Sequence, residues 1–403
     1  MKKEILKYMN EIQNKLVDIR RELHSIPELS MQEYLTCNTI KKYLNSIDGI
    51  EVISIEGQTG LVGILQGEKK GSGKCVMLRA DMDALPITES NDCEYRSLTE
   101  GMMHACGHDA HMTWLLGSAM ILSKLKERFS GTVKFVFQPA EETGAGAKLM
   151  ISNGVLECPY VDTVIGAHCF PEYQAGKIII PTKTAFSATR PFSIIVEGKG
   201  GHGSWPDKCI DPIAVSTQIY NGLQQIVSRK LNPMEPAVLT IGSIHAGPID
   251  KGNIIPNTCT MKGTLRHITK EGLESMINNV DSMVYNIAKA NGAMANVVWS
   301  NGVNHVINDK ECTEIIYNST VQLLDRENVE YSHESYLGGE DFCFYSEERR
   351  SAYFFVGCVP LENVGKVSLH SCDFCICENI LSKVSGIFAM TAVNILNGNK
   401  YPF

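Results

Sequence analysis

Histidine and cysteine side chains are concentrated in one short stretch of the sequence, GMMHACGHDAHM at 101–112. It holds three of the 11 histidines in the 403-residue chain, together with a cysteine and an aspartate. Cys106 and His108 lie two positions apart before a helical pattern, so a thiolate and an imidazole could face one transition-metal ion. A histidine beside a helix start is also typical of capping or hydrogen bonding. The stretch therefore indicates metal binding only if other ligands join it.

Two adjacent carboxylates, Glu141 and Glu142, follow an apolar, strand-like run through Pro139. Neighbouring carboxylates repel each other unless a cation or solvent compensates their charge. A division of labour removes the conflict, because one carboxylate can bind a metal ion while its neighbour takes a proton from a bound water. The alternative is a pair of solvated glutamates that cap the next helix.

Further polar residues come at the ends of other apolar runs. His168 ends VIGAH, His370 lies in VSLHS, and Asp83 follows VMLRA. Taken singly, each histidine is also typical of a core or loop position. In open α/β sheets ligands bind beyond the carboxyl ends of the strands, so these side chains could converge, with Asp83 orienting a ligand. Five donors would hold two ions that share a bridge, as used for amide hydrolysis: Cys106, His108, Glu142, His168 and His370.

The elements that must position these residues change pattern along the chain. At 1–183, strand-like runs such as KCVMLRADMDALPI and YVDTVIGAHCF alternate with helical patterns. At 184–297 the predicted order is β-α-β-β-α-β, which suits a small sheet with helices on one face. The first pattern resumes at 298–403. We therefore predict an α/β protein whose discontinuous catalytic domain, 1–183 and 298–403, contains an inserted α+β, ferredoxin-like domain at 184–297.

Composition and charge narrow the class of protein. A hydrophobic content of 44% over 403 residues is enough for a large core and two domains. The net charge of −8, from 37 basic and 45 acidic residues, is spread out, which argues against nucleic acid or acidic membranes as partners. Charges interrupt the N-terminal helix and other apolar runs are strand-sized, so we expect no signal peptide or membrane span. These features predict a cytoplasmic protein.

The 14 cysteines are scattered and lack the spacing of a disulfide framework. We therefore expect reduced thiols. Cys372, Cys375 and Cys377 form a C-x-x-C-x-C pattern, but no second metal-type pair lies near it in the sequence. Ordinary reduced cysteines are thus favoured over a zinc or iron–sulfur site.

Nine short motifs, in order along nearly the whole chain, resemble those of the aminoacylase and carboxypeptidase-G type of co-catalytic metallohydrolases. The similarity is to the amidohydrolase branch, with hippurate hydrolases, indole-acetyl-amino-acid hydrolases and N-acetyl-diaminopimelate deacetylases. The motifs are RADMDALPI, MHACGHDAHM, QPAEETGAGAK, GAHCFP, GKGGHGSWPDKCIDPI, GNIIPNT, GTLR, GGEDF and LHS. The resemblance implies a mixed-sheet metallohydrolase domain with an inserted lid or dimerisation domain, and hence a homodimer.

The resemblance also implies roles for individual residues. The five donors match ligands of two divalent ions per subunit, manganese or zinc, with cobalt or nickel as further candidates. Cys106 matches a bridging thiolate, and Glu141 matches the general base that activates water and then passes its proton to the leaving amine. His202, Asn253 and Arg266 match positions that stabilise the oxyanion or hold the substrate carboxylate, and His202 could reach a partner subunit's site.

Plainer interpretations exist for several of these residues. The glycines of GKGGHGSWP permit a tight turn in which His202 simply packs. The acids of GGEDF could cap a helix. His104 and His111 match no ligand position and are expected to be structural. The cysteine-rich ending LHSCDFCIC departs from the proline-containing sequence expected after LHS.

The activity implied by the resemblance is hydrolysis of the amide bond in small N-acetyl or N-aroyl amino acids. A carboxypeptidase or dipeptidase of the same family would differ in which side of the scissile amide carries the recognised carboxylate. A catalytically inactive metal-binding protein is an alternative of another class, against which Glu141 and the full ligand set argue. A cysteine hydrolase that uses Cys106 with His108 is a third alternative, and it would work without metal.

Overall fold

The computed structural model describes residues 1–71 and 73–398, which form two compact units. The first unit contains Met1–Ala185, Ile307–Glu334 and the described chain from Asp341 onward. The second unit contains Phe186–Val306 and Ser335–Glu340.

The first unit is built on an eight-stranded sheet. Its strands are β1 (Ile50–Ser54), β2 (Leu61–Gln66), β3 (Cys75–Asp81), β4 (Thr132–Gln138), β5 (Thr163–Gln174), β6 (Ile178–Pro181), β15 (Val329–Ser332) and β16 (Arg350–Val359). They lie in the order β1-β2-β4-β3-β5-β16-β6-β15. β3 is parallel to β4 and β5, whereas β2 is antiparallel to β4, so the sheet is mixed, as the sequence predicted.

Seven helices of the described chain belong to the first unit. They are α1 (Lys2–Ser25), α2 (Tyr34–Asn45), α3 (His108–Ser123), α4 (Gly146–Ser152), α7 (Lys310–Leu323), α8 (Cys343–Glu348) and α9 (Leu381–Leu396). Every residue of α3 is buried, and α3 packs against α1 and α9. A mostly apolar helix that is buried on every side lies inside a core, so the polar residues of its first turn, which include His108, are buried as well.

One segment departs from the expectation that apolar runs are only strand-sized. Within the described part of the chain, Glu378–Leu396 is long and apolar enough to cross a membrane, and 89% of its most apolar window is buried inside the protein. The core helix of a globular protein has the same composition, and α9 occupies such a position against α1, α3 and α7.

The second unit is a four-stranded antiparallel sheet with two helices. Its elements are β8 (Ala188–Glu197), β9 (Gly201–His202), α5 (Pro212–Arg229), β10 (Ala237–Ala246), β11 (Ile254–Ile255), β12 (Thr258–His267), α6 (Lys270–Ala290) and β13 (Met294–Trp299). The sheet order is β10-β12-β8-β13, which is the arrangement of a β-α-β-β-α-β unit. α5 begins after Asp211, whose carboxylate accepts a hydrogen bond from the Ile213 N–H.

The bounds of this unit differ from the predicted insertion at 184–297. Strand β13 continues to Trp299, which pairs with Phe192, so a boundary at 297 would cut a strand of the sheet. The later segment Ser335–Glu340 also belongs to this unit, where the Ser187 N–H donates to the Tyr336 carbonyl at 2.9 Å. A segment of only six residues that rejoins a domain late in the chain is too short to show a periodic pattern in the sequence. Two further strands, β7 (Thr184–Phe186) and β14 (Val306–Ile307), pair with each other.

Candidate metal centre

The loops after β3 and β4 bring Asp83 to the glutamate pair. β3 and β4 are parallel neighbours, so their carboxyl ends lie side by side. The Asp83 carboxylate accepts hydrogen bonds from the backbone N–H groups of Glu141 and Glu142, each at 3.1 Å. Ser30 Oγ donates to the same carboxylate at 2.6 Å. Asp83 therefore holds the turn that carries both glutamates.

A left-handed glycine separates the two donors of the opening stretch. Gly107 precedes the first residue of α3 with φ of 82°, a conformation that residues with a Cβ rarely adopt. The chain reverses there, so that Cys106 lies before the turn and His108 starts the helix. The His370 backbone N–H donates to the Ala105 carbonyl at 2.9 Å, which joins the last predicted donor to this turn.

The five predicted donors lie together in the first unit. Cys106 Sγ lies 3.4 Å from His168 Nε2 and 3.3 Å from His370 Nε2. Glu142 Oε1 lies 3.4 Å from His370 Nε2 and 3.9 Å from His108 Nε2. The sulfur atom therefore lies between two imidazoles, and the carboxylate between another two.

Hydrogen bonds on the far side of two rings orient them toward the cluster. His108 Nδ1 is 2.8 Å from the Asp83 carbonyl, and His168 Nδ1 is 2.6 Å from the Cys169 carbonyl. A carbonyl only accepts, so each Nδ1 donates and each ring directs its Nε2 toward the cluster. Burial alone would lower the pKa of His108, but the carboxylates of Asp81 and Asp83 raise it well above its ordinary value, so this ring would lose a proton on binding a metal ion. Asp83 thus orients His108 through its carbonyl and the glutamates through its carboxylate.

Two buried atoms of the cluster lack the partners that burial normally demands. In the described part of the chain, His108 Nε2 and Glu142 Oε1 are buried without a hydrogen-bond partner. An unsatisfied buried polar atom costs about 1–3 kcal/mol, so such atoms usually mark a ligand, a water or an ion. Thiolate, imidazole and carboxylate donors are those that bind zinc and similar divalent ions. The donor set fits divalent metal ions.

The electrostatic surroundings of the cluster disfavour a thiolate unless a cation is bound there. Burial, together with the nearby charge of Glu142, raises the pKa of the Cys106 thiol well above its ordinary value. A thiolate therefore requires positive charge beside it, which a metal ion supplies. Burial lowers the pKa of His168 well below its ordinary value, aided by the field of His111, so this ring stays neutral.

Glu141 lies beside two of the five donors. A carboxylate oxygen of Glu141 lies within 4.8 Å of the ligating atoms of His108 and Glu142. Its Oε1 accepts a hydrogen bond from the Asp341 backbone N–H at 3.3 Å. The carboxyl group is half-buried, so it combines contact with water and closeness to the donors.

The other two histidines of the opening stretch have different surroundings. His111 Nδ1 lies 2.7 Å from Asp81 Oδ1, and His111 Nε2 accepts a hydrogen bond from the Cys169 N–H at 3.0 Å. Both ring nitrogens are therefore engaged by protein groups. His104 is buried, and burial lowers its pKa to about 3, which makes it a neutral core residue. His111 thus has the contacts of a structural residue, whereas both ring nitrogens of His104 are buried without a hydrogen-bond partner in the described part of the chain.

The predicted substrate-binding residues lie in the second unit. His202 is in β9 and pairs with Ile254 of β11, and the Gly203 N–H donates to the Asn253 carbonyl at 2.8 Å, so His202 and Asn253 are neighbours on exposed loops. Arg266 is in β12, where its Nη1 donates to the Leu337 carbonyl at 2.7 Å.

The cysteine-rich segment after His370 forms part of the surface. Cys372 and Cys375 are exposed, Cys377 is half-buried, and all three are free thiols. The Cys372 carbonyl accepts hydrogen bonds from the Ser90 N–H at 2.8 Å and from Ser90 Oγ at 3.0 Å. The segment is thus held by these backbone contacts and by the buried side chains of Phe374 and Ile376, while Cys372 and Cys375 face the surface.

Sequence reasoning missed a buried charge network that underlies the glutamate turn. Arg79 donates to Asp81 at 2.6 Å and to Asp341 at 2.9 Å, while Gln138 Nε2 donates to Asp341 at 2.8 Å. Burial alone would raise the pKa of Asp81, but the charges of His108 and Arg79 lower it well below its ordinary value. The acid in GGEDF therefore compensates a buried arginine in the core instead of only capping a helix.

Comparison with known proteins shows the family of the chain. Residues 77–392 match the model of "Peptidase family M20/M25/M40". Thermostable carboxypeptidase 2 of Saccharolobus solfataricus is 37% identical over 393 residues, covering 96% of this chain and 97% of the relative. N-acetyl-L-cysteine deacetylase of Bacillus subtilis is 34% identical over 396 residues, covering 97% and 91%.

A solved structure agrees with these relatives. The YXEP protein of Bacillus subtilis, described as a dinuclear metal-binding peptidase of the M20 family, superposes with a TM-score of 0.83. It is 32% identical, and the match covers 96% of this chain and 99% of that protein. The chain belongs to peptidase family M20/M25/M40, and it is a hydrolase. The predicted α/β fold with a mixed sheet, typical of this class of metallohydrolase, is confirmed.

Proposed function

We propose that this protein is a metal-dependent amidohydrolase that cleaves the amide bond of small N-acyl amino acids. The observation that carries the proposal is the cluster of five donors around Cys106, with Glu141 at its edge. The N-acetyl-L-cysteine deacetylase relative, which the chain matches along almost its full length, favours an N-acyl amino acid as substrate.

The five donors would hold two divalent ions, with Cys106 as the shared ligand because its sulfur lies between His168 and His370. Bound divalent ions would polarise the scissile carbonyl and lower the pKa of water. We propose manganese or zinc as the resident metal, with cobalt or nickel able to substitute, since these ions share the affinity for nitrogen and sulfur donors.

Glu141 would act as the proton carrier of the reaction. Its carboxylate takes the proton of the attacking water and later delivers that proton to the leaving amine. The Asp341 N–H contact at 3.3 Å and the Asp83 contact to the Glu141 backbone fix its direction. No protein nucleophile takes part in this scheme.

We propose substrate contacts for three residues of the second unit. His202 and Asn253 are exposed neighbours that could donate to the substrate carbonyl or carboxylate, and Arg266 could bind the carboxylate. The variants His202→Ala, Asn253→Ala and Arg266→Ala test this assignment, since each should raise KM or lower kcat without reducing bound metal.

We also propose a homodimer that forms through the second unit, which would act as lid and dimerisation domain. β10 is an edge strand of its sheet, and Ile244 on that strand is 55% exposed. Exposed apolar residues on an edge strand are typical of a surface that pairs with another chain. Light scattering at working concentration tests the dimer. The scattered spacing of the cysteines, which lacks the pattern of a disulfide framework, suits a cytoplasmic location, and fractionation of the source cells would test it.

A substrate panel with measured metal content tests the activity. The purified protein is assayed on N-acetyl amino acids, N-benzoyl amino acids, dipeptides and longer peptides, before and after chelation and add-back of manganese or zinc. We expect cleavage of the N-acyl amino acids, loss on chelation and recovery with metal. Activity that survives complete metal removal would contradict the proposal and favour Cys106 as a nucleophile.

A second candidate function is a carboxypeptidase or dipeptidase. The Saccharolobus solfataricus carboxypeptidase supports it, because it matches this chain over 96% of its length. The same panel separates the two candidates. Cleavage of peptides alone, with no turnover of N-acetyl or N-benzoyl amino acids, would exclude the first proposal and favour this one.

A further inference from the structure

Glu33 lies fully buried beside the turn that carries the glutamate pair. Its Oε1 accepts a hydrogen bond from the Ala140 backbone N–H at 2.9 Å, and its Oε2 accepts one from Thr59 Oγ1 at 2.6 Å. We propose that Glu33 is a positioning residue, which acts through Ala140 to set the place of the Glu141 carboxylate. This inference rests on the proposed function, in which Glu141 is the general base.

The residue that Glu33 holds has an unfavourable backbone conformation. Ala140 has φ of 56°, in the left-handed region that residues with a Cβ rarely adopt. Its carbonyl accepts hydrogen bonds from the N–H groups of Ala145 at 3.3 Å and Gly146 at 3.1 Å. Glu33 therefore accepts the hydrogen bond of the Ala140 N–H, while Ala145 and Gly146 donate to the Ala140 carbonyl. Together these hydrogen bonds maintain a backbone conformation that alanine would not adopt by itself.

Removal of the Glu33 carboxylate would act on Glu141 before it acts on the metal donors. The Ala140 N–H would be left buried without its acceptor, and the turn would relax toward an ordinary conformation. Asp83 would still hold the Glu141 and Glu142 N–H groups, so the displacement should be small and should be greatest at Glu141, which directly follows Ala140. Four of the five donors lie on other segments of the chain, and most of the metal site would remain.

The expected kinetic effect is a fall in kcat with little change in KM. A misplacement of about 1 Å at a reacting group can cost on the order of 100-fold in rate, so we expect a loss of roughly 10- to 100-fold for Glu33→Ala. Substrate binding does not involve Glu33, which has no exposed surface. Metal content should stay close to that of the wild type.

A conservative variant separates positioning from charge. In Glu33→Gln the side-chain oxygen can still accept from Ala140 and from the Met31 N–H, which donates to Glu33 Oε1 at 3.0 Å. The new amide can donate to Thr59 Oγ1. We therefore expect Glu33→Gln to retain most of the wild-type kcat.

Glu28 provides a matched control from the same segment. Its carboxylate accepts hydrogen bonds from the Leu35 N–H at 3.1 Å and the Thr36 N–H at 2.8 Å, at the start of α2. Within residues 1–71 and 73–398, its side chain makes no hydrogen bond to the glutamate turn. Glu28→Ala should lower stability through loss of a helix cap while the kcat of the folded enzyme stays at the wild-type level.

The experiment compares kcat, KM, bound metal and the unfolding midpoint for the wild type, Glu33→Ala, Glu33→Gln and Glu28→Ala, all as the full chain. Support requires a fall in kcat that is specific to Glu33→Ala, with metal and KM retained. A wild-type kcat in metal-loaded Glu33→Ala would overturn the inference. So would losses of kcat in Glu33→Ala and Glu28→Ala that simply follow their losses of stability.

If Glu33→Ala does not fold, Thr59→Val replaces it, because this change removes only the hydroxyl that fixes Glu33 Oε2. A smaller fall in kcat is expected there, and an unchanged kcat would overturn the inference. Wild-type protein that is inactive on N-acyl amino acids would overturn the proposed function, and this inference with it. An active wild type with an unaffected Glu33→Ala would overturn the inference alone.

Discussion

Substitution of Gly107 by alanine should weaken metal binding, because Gly107 lies between the proposed ligands Cys106 and His108. Gly107 has φ of 82°, and an added Cβ would lie 2.2 Å from Cys169 Sγ and 3.4 Å from a Phe374 ring carbon. Cys169 is fully buried, and its thiol donates to the Cys106 carbonyl at 3.2 Å. The sulfur atom therefore cannot move aside without losing its hydrogen bond to the Cys106 carbonyl.

The size of the effect follows from two separate costs. A residue with a Cβ in the left-handed conformation loses about 1–2 kcal/mol. Overpacking in a closed core costs about 1–3 kcal/mol more. Gly107→Ala should therefore lower the free energy of unfolding by about 2–5 kcal/mol. Gly154 has φ of 77° and nothing within 4 Å of an added Cβ, so Gly154→Ala should show only the first cost.

The assay is urea unfolding of the metal-free variants, combined with measurement of metal bound by the refilled proteins. We expect the midpoint of Gly107→Ala to fall further than that of Gly154→Ala, and only the former to bind less metal. In a Cys169→Ala background the extra cost of Gly107→Ala should shrink, because the clashing sulfur is gone. Equal midpoints for the two glycine variants would refute the reasoning.

Three further variants test the buried charges and the thiolate. Burial opposes the charged form of Glu89, but hydrogen bonds from His24 and from a backbone N–H lower the pKa of its carboxyl group from 4.5 to about 2. The contribution of Glu89 to the free energy of unfolding is therefore fully present above pH 4.5 and is lost as the pH falls toward 2. Glu89→Gln should remove this part of the acid sensitivity, and urea midpoints across that range that fall in parallel with the wild type would contradict it. Arg79→Met removes the buried arginine that binds the carboxylates of Asp81 and Asp341, and it should cost about 3–5 kcal/mol, seen as a lower urea midpoint or loss of soluble protein. An unchanged midpoint would contradict this. Cys106→Ala should bind fewer metal ions by elemental analysis, and a wild-type metal content would exclude the thiolate as a ligand.

The sequence predicted the parts of the site that follow strands or open a helix. Asp83, Glu141 and Glu142 could be placed because each follows an apolar run, and parallel strands end at the same edge of a sheet. The Cys106 and His108 pair was visible as a local concentration of donors. The proximity of Cys106 and His108 to His168 and His370 follows from the chemistry of a complete donor set and from the family resemblance.

The contacts that support the site could not be predicted, because their partners are distant in the sequence. Arg79 and Asp341 pair across most of the chain, and Glu33 reaches Ala140 from the loop before α2. No period or short motif encodes such pairs. The left-handed conformation of Ala140 was equally hidden, because alanine carries no local signal for it. The six-residue return of the chain to the second unit, Ser335–Glu340, is another case.

The central claim is that the two adjacent carboxylates have different tasks, with Glu142 on the metal and Glu141 moving the proton. The direct measurement is kcat together with bound metal for Glu141→Gln and Glu142→Gln, on the N-acyl amino acid that the wild type cleaves fastest. The account predicts that Glu141→Gln keeps its metal and loses about 100- to 10,000-fold in kcat, whereas Glu142→Gln loses metal. Full turnover by metal-loaded Glu141→Gln would contradict the account.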